Sequence, residues 1–203
     1  MRFSIIIFLF ALYSCEGTST SPKHKINQQA KKLNDSAVYL AINSKDYSTA
    51  ISLLDKATNI DSNYFIAYNN KFSFLGLQKP SNTDKILETL IRLNKIRPEF
   101  PDFYLYISII YIKRNDTGAS QKYLVDAISH YDKYLDTMHK TNAAYELLLI
   151  NKAFSLILLG KEAKGHDILK QAYDSQIDTF YKEMMAPFLH KSRKEIVDSL
   201  SIE

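Results

Sequence analysis

The sequence predicts an all-α protein built of helical hairpins, and three observations carry that reading. Only five Gly and five Pro stand in 203 residues, little material for β-hairpins, while Leu, Ile, Lys, Ala, Tyr and Asn fill long stretches free of breakers. From about Ile26 onward, apolar residues return at the spacing of a half-buried helix. Breaker and capping signals then cut the chain into segments of helical length.

Composition bounds the rest. An apolar content of 46%, with 12% aromatic, is ample for a core in one domain or a compact repeat array. The 26 basic and 22 acidic side chains are interleaved without a block of like charge, so the formal charge of +4 leaves no nucleic-acid footprint. A single cysteine excludes an intramolecular disulfide and a Cys-based zinc site, and its position is what matters.

Met1-Arg2 supplies a positive charge, Phe3 to Leu12 is apolar apart from Ser4, and the run closes with Leu12-Tyr13-Ser14-Cys15. About 20 apolar residues are needed to cross a membrane, and this run is far shorter. It resembles the signal peptide and lipobox of bacterial lipoproteins, with an aliphatic residue three before the cysteine and a small one just before it. The resemblance implies that residues 1–14 are removed and that Cys15 carries a diacylglycerol thioether and an acylated amino group. The protein is then expected in the bacterial cell envelope, lipid-anchored at the periplasmic face of the outer membrane. Acyl chains contribute about 0.8 kcal/mol per buried CH₂, so such attachment is effectively permanent. Residues 15–25 then form the lipidated cysteine and a tether, EGTSTSPKHK, that is small, polar and interrupted by Pro22.

The folded part is expected over 26–203, with helices near 26–43, 46–59, 62–78, 81–96, 101–114, 117–136, 140–159, 161–175 and 178–201. Pro80, Pro98 and Pro101 fall at boundaries, and Asp46, Asp61, Asp116 and Asp178 are candidate caps.

These segments are self-similar. Lys45-Asp46-Tyr47 opens a helix in which Ala50 and Ala57 are the small residues; after Asp116, Ser120 and Ala127 stand at the same offsets. A third copy begins near Gly160, with Gly165 and Ala172, and with Ala153 in the preceding helix; the segment Phe65 to Pro98 is degenerate, with Ile86 and Leu93 at the small positions. The pattern resembles the tetratricopeptide repeat (TPR), whose unit is about 34 residues. That resemblance implies a TPR-like α-solenoid of about four helix pairs plus a C-terminal helix. Small residues are needed where adjacent helices cross closely.

No chemistry-bearing constellation is visible. His24, His130, His139, His166 and His190 show no metal-ligand spacing, and there is no phosphate-binding glycine loop, dinucleotide fingerprint or nucleophile elbow. No catalytic residues, metal or cofactor are therefore expected. The aromatic cluster Phe100, Phe103, Tyr104, Tyr106 and Tyr111 reads as repeat core.

In the TPR register the first helix of each pair lines an inner groove. This makes Tyr39, Ile42, Asn43, Leu105, Ile109, Ile112, Lys113, Leu147, Ile150 and Phe154 the candidate partner-binding residues. An apolar groove suits an amphipathic helix or an extended segment of a protein partner. The expected function is a non-enzymatic, membrane-anchored adaptor that binds a partner protein in the cell envelope. The alternative is a periplasmic immunity lipoprotein that neutralises an antibacterial toxin.

Overall fold

The computed structural model describes residues 24–139, 143–175 and 179–200. The expected signal peptide, Cys15, most of the expected tether and the candidate cap Asp178 lie outside them. Among the described residues there are ten α-helices and no strand.

Helices start where a side chain or a proline deals with the orphaned N–H groups of the first turn. Asn27 accepts from Gln29 N and Ala30 N to open α1 (Gln28–Ser44), and Asp46 accepts from Thr49 N at 3.0 Å to open α2 (Tyr47–Ile60). Asn82 accepts from Lys85 N to open α4 (Thr83–Ile96). Pro101, with no N–H to satisfy, opens α5 (Pro101–Lys113), and Asp116 opens α6 (Thr117–Thr137). Helices α7 (Ala143–Leu158) and α8 (Glu162–Ser175) complete the next pair.

Two sequence expectations are corrected. Asp61 does not cap the next helix, because its carboxylate is already occupied by Asn27 N at 2.9 Å and His24 Nε2 at 2.7 Å. As a result α3 begins later than expected, at Phe65, without a side-chain cap, and runs to Leu77. The closing helix expected over 178–201 is broken into α9 (Thr179–Met185), a 3₁₀ turn (Ala186–Phe188) and α10 (Arg193–Ser199). Pro187 lacks the N–H that a continuing helix needs, and Ser192 with Glu195 forms a capping box that starts a new helix.

The repeat is visible in the turns. Among the described residues the three with positive φ, Lys45, Asn115 and Gly160, sit where the first helix of a pair turns into the second. At two of them the backbone bonds match: Asp116 N donates to Tyr111 O and Lys161 N to Leu156 O, both at 2.9 Å, the long bond of a Schellman turn. The small residues that follow, Ala50, Ala57, Ser120, Ala127, Gly165 and Ala172, are all buried.

The described chain falls into two compact units, 24–98 and 99–200. In the first, α1 to α4 pack as consecutive neighbours and α3 also touches α1. Its core centres on Ala30, Ala37, Ala41, Ala50, Leu54, Ala57, Tyr64 and Ala67. In the second, α5 to α8 pack consecutively, α9 meets α8, and α10 returns to α7. There Arg193 Nε donates to Leu158 O at 2.7 Å, satisfying an orphaned carbonyl at the end of α7.

Candidate partner-binding face

The structure separates the predicted groove residues. Tyr39, Ile42 and Asn43 on α1 are exposed, as is Lys113 on α5. Leu105, Ile109, Ile112, Leu147 and Ile150 are buried, and this corrects their placement in an open groove. Helices α5 and α7 are apolar on nearly every face, so neighbouring helices cover the side that the TPR register assigns to a ligand. Phe154 is half-buried, edge-on to Phe188 at 5.1 Å.

Helix α1 has the opposite character. Its buried stripe is Ala30, Asn34, Ala37 and Ala41, and at about 100° per residue Tyr39 and Ile42 fall on the other side. They are 66% and 71% exposed. Asn43 Nδ2 donates back to Tyr39 O at 2.9 Å, and the Lys31–Asp35 ion pair at 2.6 Å lies one to two turns earlier on the same side. An aromatic and an aliphatic side chain beside a polar margin is the make-up of a small protein-binding patch.

Helix α3 lies next to α1, joined by Asn70 Nδ2 donating to Asn34 Oδ1 at 2.8 Å. Ile66 and Leu77, both exposed, share the α3 stripe that contains Asn70. Sequence reasoning passed over them because this repeat is degenerate at its small positions. Their spacing on one helical face, on either side of an asparagine, was the available signal.

Polar chemistry in the second unit centres on Asp102, where Tyr131 Oη and Asn151 Nδ2 both donate to Oδ1, at 2.5 and 2.9 Å. Burial holds this carboxyl above the ordinary carboxylate value, against the two hydrogen bonds. Burial, with Asp102 beside it, also raises the Tyr131 hydroxyl well above its ordinary value. No sequence motif announces this cluster, since its members come from three helices. Along the α5–α6 seam, Tyr111 stacks on Tyr123, Tyr123 meets Tyr104, and Tyr104 stacks on His130, with centroids 5.7, 6.3 and 4.9 Å apart. The rings fill the seam by packing on one another, as inter-helix fillers do. Burial lowers the His130 value, with Lys133 adding to it. Among the described residues no group of three or more His, Cys, Asp or Glu is arranged to hold a metal ion. No described helix is long and apolar enough to cross a membrane.

No protein-family model matches the chain. No curated protein matches it in sequence either. Among solved structures it is similar to PilW, a widely conserved type IV pilus biogenesis factor, at 17% identity and a TM-score of 0.51. The match covers 74% of this chain and 64% of that one, less than two thirds of the PilW chain. At that identity the likeness is one of fold, and with helices packed in consecutive pairs it makes this an all-α, TPR-like repeat protein.

Proposed function

We propose that the chain is a membrane-tethered, non-catalytic scaffold of the bacterial cell envelope that holds a protein partner on the open faces of α1 and α3. One observation carries the reading. Of the exposed large apolar side chains, Tyr39, Ile42, Ile60, Ile66, Leu77 and Ile91 lie in residues 24–98, whereas Val125 is the only one among the described residues of 99–200. Single exposed apolar residues are ordinary, but several concentrated in one unit point to an interaction surface. An amphipathic helix or an extended segment is the partner element that fits such a surface.

The tether supports the same reading from the sequence. Leu12-Tyr13-Ser14-Cys15 provides the lipid acceptor, and a polar stretch of about ten residues lets a folded body stand off the bilayer. The fold likeness to a pilus biogenesis factor makes an envelope assembly machine a fitting context. Attachment is tested by palmitate labelling: the wild type incorporates label and Cys15→Ser does not, and an unlabelled wild type would overturn it. Binding is tested by placing a photo-crosslinking residue at position 39, 42 or 125 of the full chain in its host. Adducts are expected at 39 and 42; adducts at 125 alone would move the partner to the second unit.

A further inference from the structure

The Asp102–Tyr131–Asn151 cluster lies on α5, α6 and α7, not on the helices proposed above for partner binding, and its hydrogen bonds do not close. Both donors, Tyr131 Oη and Asn151 Nδ2, go to Asp102 Oδ1. Asn151 is 0% exposed, and among the described residues its Oδ1 has no donor. The amide and the carboxyl are thus joined by one bond, and the remaining oxygen of each is an acceptor. A carboxylate has no proton for an amide oxygen, whereas a carboxylic acid does. A buried acceptor left without a donor is costly.

We infer that Asp102 is held as the neutral acid in the folded chain, its Oδ2–H supplying the donor that Asn151 Oδ1 lacks, so that an acid–amide pair locks α5 to α7. Tyr131, donating to the same carboxyl, ties in α6. The proton is the one a carboxyl binds from solvent, so no other reactant is needed.

The surroundings favour this form. Asp102, itself half-buried while Tyr131 and Asn151 beside it are fully buried, meets Tyr131 from α6 and Asn151 from α7; no charged side chain contributes to its balance, in which desolvation raises the carboxyl against the two hydrogen bonds. The nearby charges, Lys152 on α7 and Asp132 on α6, pair with each other at 2.5 Å. The start of α5 favours an anion at this position, and burial opposes it. The direction of the pH effect follows. A carboxyl raised in the folded state stabilises fully below its unfolded value and loses that contribution as pH rises through the folded value. The lock on α5, α6 and α7 therefore weakens as the medium becomes less acidic.

Asp102→Asn places an amide N–H where the acid proton lies, at every pH. Urea midpoints of the full chain, wild type against Asp102→Asn, are compared between about pH 4 and pH 8. The midpoints should nearly coincide at the acid end, with the wild type falling progressively below the variant as pH rises. A gap that stays constant with pH would overturn the inference. A second measurement needs no variant: the carboxyl ¹³C resonance of Asp102 should titrate above the ordinary value of 3.8. Titration at or below that value would mean an ionised carboxylate, with a buried water donating to Asn151 Oδ1 instead.

Discussion

The helices that open the two units pack by different means. In α1 small residues do the work: Ala30, Ala37 and Ala41 are buried and let neighbouring helices approach closely. A helix held on one narrow alanine stripe keeps its other side free, and on α1 that side carries Tyr39 and Ile42. In α5 the packing residues are large. Helix α5 buries Phe103, Leu105, Tyr106, Ile107, Ile109, Ile110 and Ile112, which together span most of the circumference of its axis. The first helices therefore differ in kind: α1, with charged and amide side chains along it, leaves a face open to solvent, while the apolar α5 and α7 are closed in by their neighbours.

Substitutions at buried and exposed positions test this contrast. The largest effect is expected in the buried helices. Ile150→Ala should cost about 2 to 5 kcal/mol in urea denaturation, whereas Ile42→Ala, at an exposed site, should cost less than about 0.5 kcal/mol. Comparable losses at the two sites would erase the distinction.

A smaller loss is expected at the small-residue crossings. A Cβ on Gly165 would lie 2.5 Å from Ile157 Cγ1 and 2.7 Å from Ala153 O. The side chain could turn away, but the carbonyl belongs to the backbone of α7. Gly165→Ala and Ala172→Leu should each destabilise by about 1 to 3 kcal/mol through overpacking. For Gly165→Ala, a helix-propensity gain of up to about 1 kcal/mol offsets part of this. A stabilised Gly165→Ala would show that α7 and α8 are not in close contact there.

Features set by neighbouring residues were legible in the sequence. Asp46 and Asp116 cap their helices because an aspartate reaches the N–H groups of the next turn whatever surrounds it. Gly160 turns between α7 and α8 at a positive φ for an equally local reason. Features that depend on distant packing were not. Asp61 looks like a cap until His24 and Asn27 claim its carboxylate. Ile109 and Ile150 look like groove residues because a helix apolar on all faces carries no mark of which face is covered. Asp102, Tyr131 and Asn151 come together only once three helices pack.

The division between an open α1 and a closed α5 and α7 is tested most directly by the double variant Tyr39→Glu/Ile42→Glu, read by partner capture together with thermal unfolding. Both positions face solvent, so the variant should keep its helical spectrum and lose no more than about 0.5 kcal/mol per site. Capture of the partner crosslinked at positions 39 and 42 should fall by at least about 2 kcal/mol, the loss typical of a central interface residue. A folded double variant that keeps its partner at full affinity would contradict the assignment of binding to α1.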